Sequence, residues 1–257
     1  MIDKCLLIIK SFFHWSFDMA NLGFLFSVRL YEATSSIETM KMLAEQARRN
    51  IDLALREARE PGAIREMEIE GLRTGDDGEP TPYPVTYYAY GPCYQDNKYE
   101  VLLEYDNLIT QLTRRSALLT IYGLFEHGIN GSLELMRHIS GYNARIRDGV
   151  TGQTHKVLTE VIGGNVRDVS HINKIRNIMA HNDGILREND KKAVKRAEDE
   201  GADIQVIFGK VDLGDDFLDY VVEELSRYLK EMVEAIQIYH KSKGQASPAP
   251  MVVISGP

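Results

Sequence analysis

Apolar residues recur at every third or fourth position over several long stretches of this chain, which is the spacing of helices that bury one face. The first stretch runs from about Ser35 to Glu60, where Ser35 or Ser36 could cap the helix and Pro61-Gly62 would end it. The same spacing predicts helices over about 98–140, 154–162, 167–182 and 215–241, and the charged segment 186–201 is a polar candidate. Together these elements predict an all-α fold, a helical bundle of about four to five main helices with short connections.

Three segments interrupt the helical pattern. Residues 61–95 pass from a turn rich in Asp, Gly and Pro into a tyrosine-rich run, which predicts an irregular insertion in which 67–72 could pair with 85–90 as a hairpin. Residues 204–208 form a short apolar run that could be one strand. Residues 243–257 are rich in small residues and proline, so we expect a disordered C-terminal tail. The helical domain would then span 31–242.

Residues 1–30 are predicted to be an apolar N-terminal extension. Lys10, His14 and Asp18 interrupt its apolar run, which therefore falls short of the roughly 18 apolar residues that a membrane span needs. No small-residue cleavage site of a signal peptide stands out. We expect no membrane partner and a dispensable or partner-docked segment, with Met19 as an alternative start.

Charge is unevenly distributed along the chain. The formal net charge is −8, which argues against a protein coated with nucleic acid over its whole surface. From Arg137 to Arg196, however, 12 Lys/Arg stand against 6 Asp/Glu, a net charge of +6 that leaves −14 on the remainder. This basic region could be a local polyanion site or simply a set of solvated helix faces, and both readings stay open.

The number and spacing of the cysteines and histidines limit which cellular compartment and which cofactors are expected. The two cysteines, Cys5 and Cys93, form no CxxC pair, and no histidine cluster has metal-ligand spacing. A disulfide framework or a structural zinc site is therefore not expected, and a reducing cytoplasm is the predicted location. No metal or other cofactor is predicted.

The segment 171–184 contains the chemistry-bearing residues. Ile172, Ile175 and Met179 would form one apolar stripe of a helix, whereas Asn173, Asn177 and His181, spaced four apart, would form a polar stripe beside Arg176. Arginine offers a planar fork of donors to phosphate oxygens, and an imidazole exchanges protons near neutral pH. RNA supplies its own nucleophile, the 2′-hydroxyl, so such a site needs no metal ion. Alternatively, His181 could serve only as a favourable residue at the negative end of the helix dipole.

The run Arg176-Asn177-Ile178-Met179-Ala180-His181 resembles the Arg-x4-His motif of the HEPN superfamily, including its polar residue after the arginine. The upstream segment Tyr122-Gly123-Leu124-Phe125-Glu126-His127 and the final amphipathic helix are also similar. The resemblance implies a metal-independent endoribonuclease that cleaves single-stranded RNA, acts as a toxin or phage-defence effector, and forms a homodimer whose two motif helices line one cleft. Arg176 would bind the scissile phosphate, His181 would be the acid or base, and Asn177 would orient them. An antitoxin or a defence-complex protein would be a further partner.

Weaker candidates and one departure accompany the motif. Asn173, Lys174 and Glu126 are expected to contact substrate, although an ion-pair role for Glu126 is the simpler alternative. The lysines and arginines of 187–196 could follow an RNA backbone, and Tyr87, Tyr88 and Tyr90 could stack on bases; exposed helix charge and local packing are the corresponding alternatives. Asp183 stands where a toxin branch of the superfamily has a modifiable tyrosine, so that silencing mechanism is not expected here. A non-catalytic module that binds a nucleotide or a protein is the alternative function.

Overall fold

The computed structural model describes residues 2–74, 78–143 and 149–244, with the backbone alone for 2–27 and 244. Most of these residues are helical. The six α-helices within these ranges are α1 (Ile2–Ala58), α2 (Lys98–Ser140), α3 (Val150–Lys156), α4 (Ser170–His181), α5 (Lys191–Asp199) and α6 (Phe217–Gly244). A π-helical turn, Val157–Val161, continues α3, and a 3-10 turn, Glu188–Asp190, precedes α5.

Two small antiparallel sheets accompany the helices, so the prediction of a mostly helical protein is confirmed but the prediction of a purely α fold is wrong. The first sheet has the order β1 (Arg65–Thr74), β2 (Pro80–Tyr90) and β3 (Cys93–Gln95). The second pairs β4 (Ile204–Ile207) with β5 (Lys210–Leu213).

The chain divides into two compact units. The first contains the described residues up to 40, then 122–174, and those from 221 onward; the second contains 41–121 and 175–220. In the first unit the aromatic rings of Tyr122, Phe125 and Tyr228 are fully buried, and Phe125 lies 5.6 Å from each of the other two. Because Tyr228 is enclosed by apolar groups, burial raises the pKa of its phenol.

Helix α1 does not begin where the sequence pattern suggested. It runs through Ser35 and Ser36, whose hydroxyls donate to the carbonyls of Glu32 and Ala33 within the same helix, at 3.0 and 2.7 Å. Such back-bonding satisfies the hydroxyls without ending the helix, so neither serine acts as a cap. The predicted apolar stripe is buried along α1, and its buried members are Ile37, Met40, Ala44, Ala47 and Ile51.

Helix α2 begins and ends at the predicted residues. The Asn97 side-chain oxygen accepts from the backbone N–H of Glu100 at 2.8 Å, which caps the first turn. At the other end Gly141 has a φ of +71°, a left-handed conformation that stops the helix. Within α2, Gly128 lies so close to α1 that an added Cβ would stand 3.3 Å from the Cα of Ala33, which explains a glycine there.

The segment predicted as an irregular insertion contains the first sheet. The suggested hairpin is present with longer strands, and its register pairs Met67 with Tyr87 and Leu72 with Pro82. The glutamates of β1 and the prolines of β2 have poor strand propensity. Apolar and polar residues nevertheless alternate along β1, which favours regular strand pairing. The Tyr83 ring lies over Gly71, where an added Cβ would meet Tyr83 Cε1 at 3.0 Å.

The second sheet consists of the single strand that the sequence indicated and one further strand that pairs with it. β4 was expected, but its partner β5 was not. Phe208 and Gly209 connect them with φ values of +49° and +78°, the left-handed pair of a tight hairpin turn. The side-chain amide of Gln111 both donates to the Leu213 carbonyl and accepts from the Leu213 N–H, at 3.1 Å each, which fastens β5 to α2.

Other expectations fall at the chain ends. Residues 1–30 were predicted to be an apolar N-terminal extension, and from Ile2 onward their backbone is helical and continuous with the rest of α1. Their assignment as a separate segment stays a prediction. The predicted disordered tail lies outside the described residues except for Lys243 and Gly244, which belong to α6. Among the residues that are described, no helix is both long and apolar enough to cross a bilayer.

Candidate functional site

Helix α4 carries the sequence-predicted catalytic residues. It begins later than the sequence suggested, because Asp168 accepts from the Ser170 N–H at 2.9 Å and so caps the helix start. Its apolar stripe is buried as predicted, and the buried residues are Ile172, Ile175, Ile178 and Met179. This buried face fixes the rotation of α4 and leaves the polar stripe on another side.

Arg176, Asn177 and His181 belong to the second unit and differ in exposure. Arg176 and Asn177 are half-buried, whereas His181 is exposed at the last turn. Arg176 Nη1 donates to Asn177 Oδ1 at 2.9 Å. None of the three is buried away from solvent, so each can be reached by a ligand.

Helix geometry separates the arginine from the histidine. At 3.6 residues per turn, Arg176 and His181 point about 140° apart around the axis and lie about 7.5 Å apart along it. Asn177 and His181 differ by only about 40° and share a face. Because Asn177 holds the guanidinium by a hydrogen bond, it draws the head of Arg176 toward the side that His181 occupies.

The three expected substrate-binding residues lie in the first unit. Asn173 is half-buried and Lys174 is exposed on the first turns of α4. Glu126 is half-buried on α2. Their assignment to substrate binding stays a prediction.

A cluster of ion pairs that the sequence did not reveal adjoins the end of α4. Asp183 has a φ of +51°, and its carboxylate accepts from Arg115 Nη1 at 2.7 Å and from Lys210 Nζ at 3.3 Å. These two cations, Lys210 first, hold the pKa of the Asp183 carboxyl below its usual value. The sequence signals only the turn, through Asn182-Asp183-Gly184, since the two cations come from distant helix and strand positions.

Gly184 allows this arrangement. Its φ is +76°, its carbonyl accepts from the Val211 N–H at 2.8 Å, and an added Cβ would lie 2.7 Å from Arg115 Nη2. Any other residue would be strained and would press on the guanidinium that binds Asp183. The end of α4 is therefore tied to β5 by backbone and side chain together.

A cleft of about 450 Å³ opens beside the Asp183 ion pairs. Its polar lining includes Arg115, Asp183, Lys210 and Asp212, and its apolar lining includes Leu108, Leu112, Ile207 and Phe208. Burial raises the pKa of the Asp212 carboxyl, although Arg114 and Gln111 oppose that effect. Arg176 and His181 do not line this cleft.

A second cleft of about 570 Å³ lies in the same unit. Its two arginines are each committed to a carboxylate, since Arg48 pairs with Asp219 and Arg114 pairs with Asp215. Over the described ranges, no group of three or more His, Cys, Asp or Glu side chains is arranged to hold a metal ion.

The basic segment around α5 is largely neutralised by its own carboxylates. Lys195 Nζ lies 2.8 Å from Asp199, Arg196 Nε lies 2.9 Å from Glu200, and Lys191 pairs with Glu188 at 2.7 Å. For α5 and the turn before it, this pairing favours exposed helix charge over contact with an RNA backbone.

The tyrosines of β2 also have local partners. Lys98 Nζ lies over the Tyr88 ring at 5.1 Å from its centroid, and the Tyr90 ring meets Tyr105 edge to face at 4.6 Å. Contacts within the protein therefore explain the positions of the Tyr88 and Tyr90 rings without stacking on a nucleic-acid base.

Comparisons with family models, with curated proteins and with solved structures found no match for this chain.

Proposed function

We propose that this protein is a HEPN-like, metal-independent endoribonuclease that cleaves single-stranded RNA, with Arg176 and His181 as its catalytic residues and Asn177 as a positioning residue. The observation that carries the proposal is the Arg176–Asn177 hydrogen bond, which draws a guanidinium toward the face of an accessible imidazole. A toxin or phage-defence role in the cytoplasm, with an antitoxin or defence-complex partner, belongs to the same proposal.

In the proposed reaction, His181 removes the proton of the ribose 2′-hydroxyl and the 2′-oxygen attacks the adjacent phosphorus. The bond from phosphorus to the 5′-oxygen breaks, giving a 2′,3′-cyclic phosphate and a 5′-hydroxyl. Arg176 binds the non-bridging oxygens, where negative charge develops. A second histidine, His181 of another copy of the chain, protonates the leaving oxygen.

A homodimer is part of the proposal for a geometric reason. Because Arg176 and His181 leave the helix about 140° apart, the hydrogen bond to Asn177 turns the guanidinium only part of the way toward His181, and a single α4 presents the two groups to one phosphate poorly. Two copies of α4 facing each other would let the arginine of one copy and the histidine of the other meet at the same phosphate.

The primary test is cleavage of end-labelled single-stranded RNA in the presence of EDTA. We expect His181→Ala to lower the rate by about 10²–10⁴-fold, the usual contribution of a general acid or base. Arg176→Ala should lower it by about 10²–10³-fold, as loss of a transition-state donor does. His138→Ala, which removes an exposed histidine from α2, is the matched control and should keep full activity.

Mixing two inactive variants tests where the site is formed. If arginine and histidine come from different copies, a heterodimer of Arg176→Ala and His181→Ala chains brings one Arg176 and one His181 to the same phosphate. Activity then rises above that of either separate variant but stays below that of the unaltered protein, because the second histidine is absent. If both residues act within one copy, the mixture stays inactive. Full activity of both separate variants, with native circular dichroism, would falsify the ribonuclease proposal.

The alternative is a non-catalytic module that binds a nucleotide or a protein. The cleft beside Asp183 favours it, since that cleft has a charged wall and an apolar wall but does not contain Arg176 or His181. Binding of RNA or nucleotides without cleavage in the same assay would support this second function.

A further inference from the structure

The hairpin formed by β1 and β2 is exposed to an unusual degree. Eight of the ten residues of β1 are exposed, and only Met67 and Gly71 are half-buried. The first five residues of β2 are exposed as well. A two-stranded hairpin is marginally stable by itself, so its exposed part calls for a reason.

β1 is the outer strand of its sheet, and its free edge can be assigned from the prolines of β2. Pro80, Pro82 and Pro84 have no N–H, so the hydrogen bonds that β2 gives to β1 come from the residues between them. These intervening residues pair with odd-numbered positions of β1, such as Ile69 opposite Val85. The N–H and C=O groups of Glu66, Glu68, Glu70 and Leu72 therefore point away from β2.

The far side of the hairpin supports this alternation. Tyr90 and Cys93 flank a two-residue turn and pair with each other, so they form a hydrogen-bonded pair, and the N–H and C=O groups of the even-numbered residues of β2 face β3. Over Pro80–Pro84 the same edge of β2 lacks N–H donors at alternate positions, so it cannot accept a further strand there. The two edges of the hairpin thus differ, and only that of β1 offers an uninterrupted row of donors and acceptors.

The side chains along the free edge are acidic on one face. Glu66, Glu68 and Glu70 share that face with Thr86 and Tyr88. Glu66 lies 3.8 Å from Lys98, whereas Glu68 and Glu70 make no ion pair with any described residue. The opposite face includes the apolar Met67, Ile69, Tyr83 and Val85, with Arg65 and Arg73 near its two ends.

We propose that the free edge of β1 binds an extended segment of a partner protein by strand addition, and that this segment alternates Lys or Arg with apolar residues. Its backbone pairs with the even-numbered residues of β1, and its basic side chains stand opposite Glu68 and Glu70. A second copy of this chain is disfavoured, because pairing β1 with itself brings like charges together. This inference does not rest on the ribonuclease proposal.

The test uses the full-length protein and a fluorescent peptide of alternating lysine and valine, titrated by anisotropy. We expect Glu68→Lys combined with Glu70→Lys to weaken binding by about tenfold or more, since two favourable cross-strand pairs become repulsive. The same double variant should bind a glutamate-valine peptide better than the unaltered protein does. Equal affinity of both proteins for the lysine-valine peptide would overturn the proposal, as would no binding to the unaltered protein.

A second pair of variants separates backbone pairing from charge. Glu70→Gln removes the charge and keeps the N–H, whereas Glu70→Pro removes both but leaves the bonds between β1 and β2 intact. We expect the proline variant to bind about tenfold more weakly than the glutamine variant, with circular dichroism of both unchanged. Equal binding by the two would show that the edge is not used.

Hydrogen exchange locates the peptide on the hairpin. In the free protein the amides of Met67 and Ile69 should be protected and those of Glu68 and Glu70 should exchange fast. Saturating peptide should protect Glu68 and Glu70. Fast exchange at these two amides in the saturated protein, or their protection by a single-stranded oligonucleotide instead, contradicts the proposal.

Discussion

The two hairpins of the second unit are held in place by different means. The strands of β4–β5 have only four residues each, yet Val211 and Leu213 are buried and Gln111, Arg115 and Gly184 all contact this hairpin or the turn beside it. The strands of β1–β2 are more than twice as long, yet their outer part is exposed on both faces. Length and pairing alone therefore do not decide how firmly a hairpin is anchored.

The difference separates structural support from interaction. The short hairpin is anchored because polar side chains of α2 satisfy its backbone and because its inward residues are removed from water. The long hairpin leaves one edge of β1 unpaired with any described strand and exposes both of its faces to solvent. A strand with such an edge can pair with another chain. Substitutions at comparable positions of the two hairpins should accordingly have unequal effects.

The largest difference is expected for truncation of a leucine in each hairpin. Leu213→Ala removes a fully buried side chain and leaves a cavity, which should lower the free energy of unfolding by about 2–5 kcal/mol. Leu72→Ala changes a residue that is 73% exposed and should alter it by less than about 0.5 kcal/mol. Urea unfolding of both variants checks this, and equal destabilisation would refute the contrast.

A smaller effect is expected at the amide that fastens β5. Gln111→Leu leaves the Leu213 N–H without its acceptor, whereas the Leu213 carbonyl keeps a bond from Arg114. We expect a loss of about 1–2 kcal/mol in the free energy of unfolding. The control is Gln95→Leu, which removes only an exposed bond to Glu104 and should cost under about 0.5 kcal/mol. If Gln95→Leu lowered the free energy of unfolding as much as Gln111→Leu, the proposed role of the Gln111 amide in holding β5 would be contradicted.

The sequence predicted the fold best where local signals agreed. Both ends of α2 were predictable because Asn97 is a capping residue and Gly141 accepts a left-handed conformation. The start of α1 was not, since Ser35 and Ser36 satisfy their hydroxyls inside a continuing helix. β5 was missed because four residues carry too short an alternation to be distinguished from a loop.

The candidate site was predictable only in its local part. The spacing of Asn177 and His181 gives a shared helix face, and the neighbouring Arg176 bonds to Asn177. The ion pairs of Asp183 could not be foreseen, because Arg115 is 68 residues away in sequence and Lys210 is 27 residues away. Only tertiary packing brings such groups together, and no spacing in one sequence encodes it.

The smallest effect is expected at Asp183, where the side-chain part of the link between α4 and the short hairpin is electrostatic and exposed. Asp183→Asn removes the negative charge that Arg115 and Lys210 share, so the variant should be slightly less stable than the unaltered protein at pH 7. Because folding lowers the pKa of this carboxyl, its contribution is complete above the unfolded value of about 4 and disappears as the pH falls through the folded value. Urea unfolding of both proteins between pH 7 and pH 3 should therefore give curves that converge only below about pH 4, and at pH 7 the difference should shrink in 1 M salt.

Asp199→Asn, which breaks a pair internal to α5, is the matched control for loss of a surface carboxylate. A difference at Asp183 that does not shrink as the pH falls below about 4 would mean that packing at the turn, and not charge, ties the end of α4 to β5.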